Sequence, residues 1–285
     1  MEFDAFVAMD WSGASGEYSG ISVAMCSAGK GAPKLVNPRG ARWSREEAAE
    51  WIKKRLGKRQ RLLIGLDFGF GFPYEEAGYL GGQAQGIDDI FALWALIDAK
   101  SAGEADFGCT QFVGDAEFDH LFWTRNRKPG LWVERKRRAE HACAEMTGTR
   151  PDSLYKLLGP KQVGKASITG MRVLNHLRAC KGDCVAIWPF ETPRTSVIVE
   201  IYPTMFRKLA TRSVAKLRSR TDLNRSLAVL GSRPMRNGRT RLSDHETDAL
   251  ISAAGLRYLA GDPEVWTRPE LDSPRVRREG WIFGI

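Results

Sequence analysis

Histidine and cysteine are both scarce, with four and five copies in 285 residues. The cysteines (Cys26, Cys109, Cys143, Cys180 and Cys184) are odd in number and form no paired framework, so reduced thiols are expected rather than a disulfide scaffold. Apolar runs long enough to cross a bilayer are missing as well. The first residues, Met1-Glu2-Phe3-Asp4, are acidic and lack the basic leader and apolar stretch of a secretion signal. The expectation is a cytoplasmic chain with no membrane partner. No internal repeat or low-complexity segment interrupts it, so one domain is expected over residues 1–285.

Acid is nearly missing from one long stretch. Between Arg207 and Arg241 only Asp222 opposes a run of arginines and lysines, in a chain whose net charge is +9. A second basic cluster, Arg125, Arg127, Lys128, Arg135, Lys136, Arg137 and Arg138, has Trp123 and Trp132 interleaved. Such surfaces attract phosphate backbones, and exposed aromatic rings stack on unpaired bases. Nucleic acid, DNA or RNA, is therefore the expected partner, with Lys136, Arg137, Lys161, Lys165, Arg207, Lys208 and Arg212 as the contacting cations. A solvated basic face with two core tryptophans accounts for the same residues.

What is present in quantity, 43% hydrophobic residues, suffices to bury a core. The run Ala5-Phe6-Val7-Ala8-Met9 reads as a central strand, apolar on both faces, and it stops on Asp10 before Trp11-Ser12-Gly13. Residues 20–28 and Pro33–Arg39 read as second and third strands. "SREEAAEWIKKRLG" carries a helix signature, with Ser44 as N-cap, Glu47 completing a capping box and Gly57 as terminator. "RLLIGLDFGFGFP" is a fourth buried strand, ending on Asp67. A largely helical insertion follows over residues 74–183. "CVAIWPFE" and "TSVIVEIYP" read as two further strands, the second passing through Glu200. "SDHETDALISAAGLRYLAG" is the clearest helix, capped by Ser243 and Glu246 and ended by Gly261.

Acids at the carboxyl ends of parallel strands sit where open sheets collect ligands. Asp10 and Asp67 occupy such ends, Glu200 interrupts an apolar strand, and Asp244 and Asp248 lie on one face of the last long helix. Gathered together, these carboxylates would repel unless a cation joined them, and hard oxygen donors suit Mg²⁺ or Mn²⁺. Two such ions would activate a water and stabilise the leaving oxygen of a phosphodiester. Each acid also has an ordinary role open to it, as a turn cap beside Ser12 or Gly69, or as a first-turn helix acid.

Four segments, "AMDWSGA", "IGLDFGFGFP", "VEIYPT" and "ETDALISAAGLRYL", together with "WPFE" and "VGKASITGM", resemble the DUF429 family of predicted nucleases. The resemblance runs in order along nearly the whole chain. It implies an α/β, ribonuclease H-like fold: a mixed five-stranded sheet flanked by helices, with the insertion between the fourth and fifth core strands. It also implies divalent-metal-dependent phosphodiester hydrolysis, with Asp10, Asp67, Glu200 and Asp248 as catalytic ligands and Glu191 and Asp244 as accessories. Two rival functions share parts of this pattern. One is an actin-like ATPase or small-molecule phosphotransferase, and the other is a nucleic-acid-binding protein without catalysis.

Other signals are weaker. "GPKQVGKA" (159–166) nearly spells a phosphate-binding loop, but Ala166 stands where a serine or threonine would hold Mg²⁺, and no strand precedes it. His176, Cys180 and Cys184 recur every four residues without a fourth zinc ligand, and Cys180 is expected in the core. His141 and Cys143 are expected to pack or face solvent. His120 stays open, as does His245, which stands next to Asp244 and near enough in sequence to the proposed cluster to shuttle a proton.

Overall fold

The computed structural model describes residues 1–14, 20–130, 132–159, 163–193, 195–236 and 241–285. Strands β1 (Ala5–Asp10), β2 (Ser22–Ser27), β3 (Lys34–Val36) and β4 (Leu62–Asp67) open the chain. A small hairpin, β5 (Tyr74–Glu75) and β6 (Gly78–Tyr79), stands apart, and β7 (Val185–Ile187) and β8 (Ser196–Glu200) follow much later. The main sheet has the order β3-β2-β1-β4-β8-β7. It is mixed: β1–β2 and β2–β3 are antiparallel, whereas β4, β8 and β7 run parallel to β1. Six strands, not five, therefore make the sheet. The sixth is β7, an edge strand of three residues.

Helices cover both faces, which is why β1, β4 and β8 are apolar throughout rather than alternating. On one face lie α1 (Arg45–Arg55), α2 (Ile90–Lys100), the short α3 (Thr110–Gly114) and, beyond α4 (Arg138–Thr147), the long α5 (Val163–Lys181). Their Ile52, Trp94, Phe112 and Leu174 share one core with Val7, Met9 and Ile64. On the other face lie α6 (Pro203–Thr211), α7 (Arg220–Val229) and α8 (Asp244–Leu259). Phe206, Leu223 and Leu250 there pack with Phe6, Ala8 and Leu63. The short α9 (Pro263–Trp266) and α10 (Val276–Glu279) close the chain. Residues 74–183 thus supply most of one layer of the sandwich and, in β5 and β6, a hairpin.

Both predicted helix starts are present, with one difference. Ser243 and Glu246 form the reciprocal capping box of α8, with the Ser243 N–H donating to Glu246 Oε2 at 2.7 Å. At α1, Ser44 Oγ accepts from the Glu47 N–H at 3.0 Å. The Glu47 carboxylate turns instead to the Arg39 N–H, at 2.6 Å, because the loop after β3 presents that donor. Two glycines set the layer spacing. A Cβ on Gly170 of α5 would fall 2.3 Å from the Phe68 ring, and one on Gly255 of α8 would fall 2.1 Å from Phe206 of α6.

Candidate functional site

Asp10 and Asp67 are register partners at the carboxyl ends of two adjacent parallel strands. Side chains alternate along a strand, so Asp10 follows Phe6 and Ala8, and Asp67 follows Leu63, toward the layer containing α8. From α8, His245 and Asp248 meet them; three residues apart, they share one side of the helix. The His245 Nδ1 lies 2.9 Å from Asp10 Oδ1. Asp248 is engaged on both oxygens, Oδ1 by Arg207 of α6 and Oδ2 by Lys216 of the α6–α7 connector. Arg207 is buried, and it also donates to Thr204 Oγ1 at 2.6 Å and to the Val214 carbonyl at 3.3 Å.

Three carboxylates against the two cations on Asp248 leave a surplus negative charge before His245 is counted. Burial pushes the Asp10 carboxyl up to about 6, with the His245 hydrogen bond restraining the rise and Asp248 adding to it. Asp67 is held well above the usual carboxylate range by burial first, then by Asp10 and Asp248. The hydrogen bond to Asp10 raises His245. Among the described residues, the Asp67 carboxylate has no hydrogen-bond or ion-pair partner, although Asp10 and Asp248 both act on it. It is the one member of the cluster left to a proton or to a cation from outside.

Glu200 does not join them. It pairs in register with Leu66, one position short of Asp67, so its side chain leaves the opposite face of the sheet. There it accepts from the Phe70 N–H at 2.8 Å and takes a two-pronged grip from the buried Arg137, which also holds Glu140. Burial raises Glu200 while Arg137 opposes the rise. Glu191 is elsewhere too, bound by Arg178 at 3.0 Å and capping the Ile187 N–H at 2.9 Å. Asp244 stands in the first turn of α8, partly buried, one turn before Asp248. Among the described residues no three His, Cys, Asp or Glu side chains are gathered as they would be around a metal ion. The donor set that remains, Asp10 with Asp67, fits one hard divalent ion, since Mg²⁺ takes one or two carboxylates and keeps waters. Among the described residues no comparable oxygen set is seen for a second ion, because Asp248 is held by two cations and Glu200 faces away.

The expected nucleic-acid contacts divide. Arg137 and Arg207 are only 1% and 3% exposed and are spent on buried acids, so neither reaches a polymer. Each is needed inside, because a buried carboxylate without a counter-charge is costly. Lys136 pairs with Glu134, and Lys208 donates to the Thr147 carbonyl at 2.8 Å. Arg212 ends α6 in the left-handed region, exposed. Lys161 lies outside the described residues. Lys165 borders a cavity of about 900 Å³ together with Arg45, Arg125 and Arg127. Trp123 and Trp132 meet edge to face at 5.3 Å, with Lys128 over the Trp123 ring.

The weaker signals resolve simply. Gly164 and Lys165 fall in the first turn of α5. Cys180 is exposed rather than in the core, 3.8 Å from His176 Nε2, and Cys184 sits past the helix end. His120 and His141 are exposed, and Cys143 is buried. Nothing in the sequence around Lys216 marks it as a partner of the cluster; the only signal is Asp248 on an apolar helix face, which calls for a nearby cation. No protein-family model, curated protein or solved structure matches the chain.

Proposed function

We propose that this protein hydrolyses phosphodiester bonds of nucleic acid with a divalent cation, on a ribonuclease H-like scaffold of the DUF429 kind. The observation carrying the reading is the in-register pair Asp10 and Asp67, the second without a partner among the described residues. Asp10 and Asp67 would hold Mg²⁺ or Mn²⁺, which supplies Lewis acidity toward a phosphate oxygen and an acidified water. Asp10 orients His245 through Nδ1, and Nε2, with no hydrogen bond among the described residues, would exchange a proton with water or a leaving oxygen. Arg207 fixes the position of Asp248 beside the pair. Of the cations around the Lys165 cavity, Lys165 and Arg125 would receive flanking phosphates, since Arg45 is buried against Asp106 and Arg127 pairs with Asp119.

The test is cleavage of single- and double-stranded DNA and RNA in Mn²⁺ by the parent, Asp10→Asn and Asp67→Asn. Loss of cleavage in both variants, with folding intact, is expected; full activity in either overturns the assignment. A second reading, nucleic-acid binding without hydrolysis, is favoured by the neutralisation of Asp248 by Arg207 and Lys216. Salt-sensitive binding with no cleavage in Mg²⁺ or Mn²⁺ would select it. A saturable ATP·Mg²⁺ site by titration calorimetry would instead select a phosphotransferase.

A further inference from the structure

We propose that Lys216 is an exchangeable counter-ion: its ammonium holds Asp248 closed and swings away when a divalent cation enters beside Asp10 and Asp67. The proposal rests on the reading of those two acids as a cation site.

The two cations on Asp248 are anchored very differently. Arg207 is buried and tied by Thr204 and Val214 as well as by the acid. Lys216 has Asp248 as its ion-pair partner, and its side chain is 41% exposed. The connector around it is fixed, since the Val214 carbonyl receives Arg207, Leu217 is buried and Ser219 caps α7. Only the side chain must move, and a lysine stem with a single ammonium pivots readily. Its charge acts on Asp10, Asp67 and His245 together, so the ammonium faces the whole cluster.

Charge balance favours exchange over addition. With Lys216 in place, three carboxylates meet two cations, and a divalent ion would leave the cluster positive. With Lys216 out, the carboxylates meet Arg207 alone, and one divalent ion balances them. Asp248 Oδ2 is released at the same moment, giving the ion a third carboxylate that the closed arrangement withholds. The departing ammonium has room to move: Lys216 borders a cavity of about 390 Å³ with Thr211, Ser213 and Asp222, the last paired with Arg225 at 3.3 Å.

The test is Mn²⁺ titration calorimetry on the full chain for the parent, Lys216→Met, Lys216→Arg and Asp67→Asn. A second measurement follows acetylation of Lys216 by mass spectrometry, with and without saturating Mn²⁺. Lys216→Met is expected to bind Mn²⁺ about tenfold or more tightly than the parent, because a competing charge is gone. Lys216→Arg should bind no more tightly than the parent, since a guanidinium grips a carboxylate with two donors. Mn²⁺ should increase acetylation of Lys216 in the parent. Equal or weaker binding by Lys216→Met, with Asp67→Asn still abolishing it, overturns the exchange and leaves the cation site standing. Unchanged acetylation does the same without relying on a variant. If neither parent nor Lys216→Met binds Mn²⁺, the cation site falls and the exchange with it.

Discussion

Glu200 and Asp67 end neighbouring parallel strands one register step apart, and that single step sends their carboxylates to opposite faces of the sheet. One becomes a structural ion pair with Arg137, and the other stands in the candidate site without a partner among the described residues. Stability should therefore respond with opposite signs when the two environments are altered.

Asp67→Asn should stabilise the protein at neutral pH by about 1–3 kcal/mol, the scale of repulsion between like charges about 5 Å apart at an effective dielectric near 20. The pH dependence has a fixed sign. A carboxyl raised in the folded state makes no unfavourable contribution below its unfolded value, and the cost grows as pH climbs through the folded value. Urea unfolding of parent and variant should coincide in acid and diverge toward neutrality.

Arg137→Met should act the other way. It leaves Glu140 and Glu200 as buried carboxylates without their shared guanidinium. A loss of about 3–5 kcal/mol is expected from breaking a buried pair by removing one partner. Chemical denaturation measures it, and a loss below about 1 kcal/mol would contradict the structural role.

His245→Gln tests the Asp10 contact through pH. The raised His245 contributes stability below its unfolded value near 6.5, and this is lost as pH rises through the folded value. Asp10, itself pushed up to about 6, must be ionised to take part. The variant should cost about 0.5–1 kcal/mol near pH 6.5, a modest figure because the ring is half exposed, and almost nothing near pH 9. Unfolding curves at the two pH values decide it.

Gly255→Ala probes how packing sets the site. The added methyl would drive into Phe206, the residue before Arg207, and push α6 away from α8. Overpacking of this kind costs about 1–3 kcal/mol. A thermal midpoint equal to the parent's would show that the two helices tolerate wider spacing.

Much of this was legible in the chain before folding. The strands ending in Asp10 and Asp67 and the capping box of α8 follow from apolar runs and end signals, and they lie where those signals put them. Glu200 could not be placed the same way. Val197, Ile198 and Val199 are apolar on both faces, so no alternation marks which way the next side chain points. Arg137 and Arg207 are hidden for a related reason: arginines in a basic run look like surface until a buried acid claims them. That claim is tertiary, made across 63 residues for Arg137 and 41 for Arg207.

His245 reaches Asp10 across 235 residues. Synthesis proceeds from the N-terminus, so a ribosome-bound chain displays both strand acids long before α8 has emerged to close over them. The contact that closes over Asp10 is thereby deferred until α8 has been made. A nascent or truncated product lacking α8 would carry Asp10 and Asp67 with neither His245 nor Asp248 beside them.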